Sequence, residues 1–232
     1  MSRKDLFVRR TLRSIVRFLF RLLTNVEVKG LERIPASGGC IIAVNHFSRL
    51  DAAIAFAYID REDLTALVAD KYLKVFWIRW LVDRVKGIWL HREESDIRAL
   101  RAARDYLLAG GALGIAPEGT RSQTGKLAQA KTGVAYLADK AGVPVVPAAV
   151  YGSEDAMYKL IRLHRPHLVL SIGNPLVFPP IGRENRTEQL EMNTDEIMCA
   201  IAVMLPESYH GAYAGHPRLQ ALLRNAVSGL SP

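Results

Sequence analysis

The chain has 232 residues, half of them hydrophobic and 23% charged, with a net charge of +8. Those values suit one globular domain with a substantial core and exclude a disordered or low-complexity chain. Most of the excess charge lies in residues 1–24, where Arg3, Lys4, Arg9, Arg10, Arg13, Arg17 and Arg21 are opposed by Asp5 alone, so the basicity is not that of a nucleic-acid-binding domain face.

In chain order, residues 5–24 have a helical period. Val8, Leu12, Ile15, Val16, Leu19, Leu22 and Leu23 form an apolar face, and Arg10, Arg13, Arg17 and Arg21 recur opposite. That pattern predicts an amphipathic helix on an anionic membrane surface. No run approaches about 18 apolar residues, so no ordinary transmembrane helix is expected, and the arginines interrupt any signal-peptide core. "VEVKGLERIPASGG" reads as a strand and a turn, and "CIIAVN" as a strand buried on both faces. "LDAAIAFAYI" is helical, "LTALVA" a strand, "KYLKVFWIRWLVDRV" an amphipathic helix and "GIWLH" a short strand. A helix over 94–109 ends at Gly110-Gly111. "ALGIAP" is a strand, 130–140 a helix, and "VPVVPAAVYG" and "LVLSIGNPLVF" are strands. A helix over 187–204 and a short C-terminal helix complete the chain. The expected fold is α/β: a mixed, partly parallel central sheet flanked by helices, preceded by the amphipathic N-terminal helix. The expected division is 1–24, membrane-binding, and 25–232, the main domain. Cys40 and Cys199 stand far apart in apolar segments and read as buried free thiols in a reducing compartment.

Ligands of such sheets gather at the carboxyl ends of strands. His46, Arg92 and Glu118 each follow a predicted strand. In "NHFSRLD", His46 and Asp51 are five residues apart, about 500° along a straight helix, so they do not share a helical face. They can meet if His46 lies in the loop and Asp51 in the first turn of the helix. Asp51 would then fix the tautomer of the imidazole, leaving its other nitrogen to take a proton from a hydroxyl. By itself the pair reads equally as a capping aspartate and a surface histidine. In "APEGTRS", Gly119 allows close backbone approach, and Thr120 and Arg121 offer donors suited to phosphate. Glu118 could hold the arginine or the loop. His164, His167, His210 and His216 lack partners at useful spacing and read as surface or structural.

Taken together and in this order, the segments resemble the 1-acylglycerol-3-phosphate O-acyltransferase family of glycerolipid acyltransferases. "NHFSRLD" resembles its His-x-x-x-x-Asp motif, "GIWLHR" its second motif, "APEGTRS" its third and "VPVVPAAVYG" its fourth. The resemblance covers about residues 25–215. It implies transfer of a fatty acyl group from acyl-CoA or acyl carrier protein to the sn-2 hydroxyl of a lysophosphatidic acid. It also implies His46 as general base, Asp51 as its orienter, and Lys71, Arg92, Glu118, Gly119, Thr120 and Arg121 in the acceptor-phosphate site. No metal or cofactor is implied beyond the acyl-donor substrate. The enzyme would work as a peripheral protein at the cytoplasmic face of the cell membrane. Two departures, Ala116 for the family's usual Phe and His91 where Asp is common, keep open a related acyltransferase acting on another lysolipid or hydroxyl acceptor.

Overall fold

The computed structural model describes residues 3–84, 86–90 and 96–228. The elements run α1 (Arg3–Leu23), β1 (Asn25–Lys29), β2 (Cys40–Val44), α2 (Leu50–Tyr58), β3 (Thr65–Ala69), α3 (Phe76–Arg84), β4 (Ile88–Leu90), α4 (Ile97–Leu108) and β5 (Ala112–Ile115). Then follow α5 (Gly133–Ala141), β6 (Val145–Tyr151), α6 (Ala156–Ile161), β7 (His167–Ile172), α7 (Arg186–Ala202) and α8 (Pro217–Ser228).

The strands form one mixed sheet in the order β1-β7-β6-β2-β5-β3-β4. β2 runs parallel to β5 and β6, and β3 parallel to β5 and β4. β7 is antiparallel to β6 and parallel to β1. The carboxyl ends of β2–β6 therefore share one rim with the amino ends of β1 and β7. The last turn of α1, which feeds β1, also lies at that rim.

Alternation along the strands builds a core on each face of the sheet. Ile41, Ala43, Leu113, Val145 and Ala149 pack with Leu107, Leu137, Ile197 and Leu219 from the later helices. Cys40, Ile42, Val146, Ala148, Val150, Leu168 and Leu170 pack with Phe20 of α1 and Ile54 and Ala57 of α2. Both cysteines are free and buried. Burial raises both thiols, Cys199 to about 11, which keeps them protonated and unreactive.

Four elements differ from expectation. The helix expected over 71–85 is two pieces, a single 3-10 turn at Asp70–Lys74 and then α3, because Val75 is extended. The helix expected from 94 begins at Ile97, where Asp96 caps it by accepting the Ala99 N–H at 3.0 Å. α6 was not expected at all; six residues are too few to show a helical period. β7 stops at Ile172, and Leu176 returns to the sheet by a single bridge to Val145.

α1 forms as an amphipathic helix, and Arg9, Arg13 and Arg17 turn inward, onto the end of α2 and the segment after it. The Arg17 guanidinium donates twice to the Ala57 carbonyl, at 2.9 and 2.7 Å. Arg13 donates to Asp60 at 2.8 Å and to the Arg61 carbonyl at 2.7 Å. Arg9 reaches the Leu64 carbonyl and Arg10 pairs with Glu62. A helix C-terminus leaves carbonyls unpaired and carries partial negative charge, so it recruits cations. Phe7, Ile15, Phe18, Leu19, Leu22 and Leu23 are consequently left on the outside.

Candidate active site

β2 delivers Asn45 and His46 to the rim. Asn45 is fully buried and bonds Val150 of β6 through both ends of its amide, at 2.7 Å each. This pins the chain just before His46. The loop then turns back, and Asp51 enters on the first turn of α2.

Asp51 is 1% exposed, yet its carboxylate is fully engaged. Oδ2 accepts the Phe47 and Ser48 N–H groups at 2.7 Å each and faces His46 Nδ1 at 3.2 Å. Oδ1 accepts the Ser153 hydroxyl. Such a network fixes the direction of a buried carboxylate. A proton on Nδ1 would be held by that carboxylate. That tautomer would leave Nε2 its lone pair, and the His46 side chain is 24% exposed.

The "PEGTR" segment leaves β5 beside it. Glu118 is buried and binds two backbone N–H groups, those of His46 at 3.0 Å and Ala128 at 2.9 Å. It ties the loop to the histidine rather than holding Arg121. Burial raises its pKa, partly offset by those two N–H donors and by His46. The Ser122 N–H donates to the His46 carbonyl at 2.8 Å, a second tie between the segments. Gly119 has φ 68°, a left-handed turn suited to glycine. Thr120 is exposed. The Arg121 Nε is buried without a hydrogen-bond partner. A guanidinium in that state beside a candidate base is suited to an anion.

The structure thus brings His46, Asp51, Glu118, Gly119, Thr120 and Arg121 together. Lys71 lies in the 3-10 turn after β3, with its side chain outside the described part, and Arg92 lies outside the described residues. Three residues escaped sequence reasoning. Asn45 and Ser153 act through partners 105 and 102 residues away, and no local signal marks those contacts. Lys131 runs over Gly119, where an added Cβ would meet its Cδ at 3.4 Å, and it places a further cation at the loop.

Comparison with known proteins follows the same outline. A model of the acyltransferase family matches residues 25–151. A chloroplastic 1-acyl-sn-glycerol-3-phosphate acyltransferase of Brassica napus is 29% identical over 134 residues, covering 56% of this chain and 38% of that protein. A 1-acyl-sn-glycerol-3-phosphate acyltransferase of Borreliella burgdorferi is 26% identical over 158 residues, covering 66% and 61%. The chain thus spans less than two thirds of either relative. In fold it is similar to the crystal structure of the 1-acyl-sn-glycerophosphate acyltransferase PlsC of Thermotoga maritima, with a TM-score of 0.67 and 24% identity over 85% of this chain and 80% of that one.

Proposed function

This chain belongs to the acyltransferase family, and on that premise we propose that it acylates the sn-2 hydroxyl of 1-acylglycerol-3-phosphate to give phosphatidic acid. The acyl donor is the thioester of acyl-CoA or acyl carrier protein. The observation that carries this reading is the His46–Asp51 pair at 3.2 Å, tied through Glu118 and Ser122 to a loop whose Arg121 Nε is buried without a hydrogen-bond partner.

In the proposed reaction, the acceptor phosphate binds Arg121 and the Gly119–Thr120 backbone, with Lys131, Lys71 and Arg92 as further cations. Anchored there, the sn-2 hydroxyl meets His46 Nε2. As the hydroxyl oxygen attacks the thioester carbonyl, Nε2 takes its proton, and Asp51 stabilises the imidazolium formed. The new C–O bond forms, the C–S bond breaks, and the imidazolium returns the proton to the leaving thiolate. The reaction needs no metal or cofactor.

The membrane is the proposed second partner. α1 would rest on its outward apolar face at the cytoplasmic leaflet, with exposed Arg21 beside the headgroups. The test of the function is thiol release from acyl-CoA by the purified chain across a panel of lysolipids. Lysophosphatidic acid should be strongly preferred over the matching monoacylglycerol, which lacks phosphate. Equal rates with both would refute the phosphate reading and move the acceptor to uncharged lipids.

A further inference from the structure

The connection from β6 to β7 starts and ends at positions already described. At its start Ser153 holds Asp51. There Gly152, at φ 80°, lies so close to β7 that a Cβ would come within 2.2 Å of the His167 carbonyl oxygen. At its end, Arg165 donates to the carbonyls of Arg21 and Thr24 at 2.6 and 2.9 Å, closing the last turn of α1. Pro166 accepts the Asn25 N–H at 2.8 Å. The connection is therefore fixed between the candidate catalytic aspartate and the N-terminal helix.

Between those anchors, α6 and the turn after it show Met157, Tyr158, Ile161 and Leu163 to the outside. Ile161 is 79% exposed and Leu163 95%. Leu163 has φ 59°, a left-handed conformation uncommon for leucine, at the helix-ending position where glycine or asparagine is the ordinary choice. The Leu163 N–H reaches the Leu160 carbonyl and the His164 N–H the Lys159 carbonyl, each at 2.9 Å, so the backbone holds the side chain outward. Packing among the described residues does not account for an apolar tip held in that way. Its surroundings carry a basic excess: Lys159, Arg162 and Arg165 follow Glu154 and Asp155. Those two acids are occupied at the base of the hairpin, Glu154 by the Tyr209 hydroxyl and Asp155 by Lys159 at 2.8 Å. Arg162 lies over the Tyr158 ring at 4.2 Å.

The geometry points to this α6 hairpin as a second membrane-insertion point, with Ile161 and Leu163 entering an anionic lipid surface and Arg162 meeting its phosphates. The proposal rests on the proposed work at a membrane surface and adds a contact separate from α1. An apolar tip with a cationic neighbour fits an anionic lipid surface. The segment after the tip is also tethered to the end of α1, because Arg165 binds the carbonyls of Arg21 and Thr24. Both elements meet the rim where His46 stands. Lipid bound there would present its headgroup region to the catalytic pair without leaving the bilayer.

The test is sedimentation of the full chain with vesicles of phosphatidylcholine, with and without phosphatidylglycerol, read without turnover. Changing Ile161→Ser with Leu163→Ser should weaken partitioning by roughly 10-fold or more, since each side chain loses buried apolar area. Thermal unfolding should be unchanged. Arg162→Gln should reduce the preference for phosphatidylglycerol by about 5-fold, the effect of one cation near an anionic surface. Phe18→Ser with Leu22→Ser tests α1 separately. Normal binding by the α6 pair with lost binding by the α1 pair would overturn this proposal and leave the α1 reading intact. The reverse would support it and refute the α1 reading. Unchanged vesicle binding by the α6 pair with a change in oligomeric mass would overturn it in favour of a second copy on this surface.

Discussion

Ser153 donates its hydroxyl to Asp51 Oδ1 from a loop 102 residues away. With the Phe47 and Ser48 N–H groups on Oδ2, this bond leaves the carboxylate one orientation relative to His46. Ser153→Ala should therefore act on the chemical step. Losing a hydrogen bond to a charged group costs about 1.5–3 kcal/mol, and kcat should fall roughly 10-fold or more with a smaller change in acceptor KM. Steady-state kinetics over a pH series provide the check. An unchanged kcat would mean that the backbone donors alone position Asp51.

The inward arginines of α1 give a stability prediction. Arg13 is 5% exposed and bonds both Asp60 and the Arg61 carbonyl. Arg13→Met keeps the stem but leaves that carbonyl without its donor, at a cost of about 1–3 kcal/mol. The loss should appear in denaturant unfolding with no lipid present. An arginine that faced a membrane would leave the unfolding midpoint unmoved.

Asp63 supplies a pH dependence. Its hydrogen bond to Arg61 holds its pKa below the ordinary carboxylate value. Arg61 in turn binds the carbonyls of Pro35 and Gly38 at 2.5 and 2.9 Å, joining loops on the far side of the sheet. A depressed folded pKa contributes stability above the unfolded value of about 3.9, and that stability is lost as pH falls through the folded value. Asp63→Asn should thus be less stable than the wild type at neutral pH, with the gap closing in acid. Denaturant midpoints at several pH values measure this. A gap that widens in acid would show that the ion pair is not the cause.

Arg121 tests the phosphate. Lysine keeps the charge but not the planar pair of donors. Arg121→Lys should raise acceptor KM and lower kcat/KM by roughly 10- to 150-fold, the equivalent of one charge-assisted bond. The KM for the acyl donor should hardly move. A change confined to the donor KM would assign Arg121 to the other substrate.

How much of this was legible beforehand depended on the range of the interactions. His46 and Asp51 meet across one loop, and the Gly119 turn is local, so short motifs carried both. The strand positions followed from apolar runs such as "CIIAV". The partners of Asn45 and the Ser153–Asp51 bond need the pairing of β6 beside β2, which no local pattern states. Which residues α1 turns inward depends on the same kind of long-range information. Periodicity shows which residues share a helix face, but the carbonyls at the end of α2 decide which way that face turns. The α6 hairpin went unseen because six residues are less than two turns of helix.

The central claim is that His46 Nε2 takes the proton of the acceptor hydroxyl. The most direct measurement is the single-turnover rate of acyl transfer to lysophosphatidic acid by His46→Ala, compared with the wild type at equal saturation. A general base contributes about 10²–10⁴-fold, so the variant should lose rate on that order while it still binds the acceptor. A rate close to that of the wild type would contradict the mechanism and place the base elsewhere.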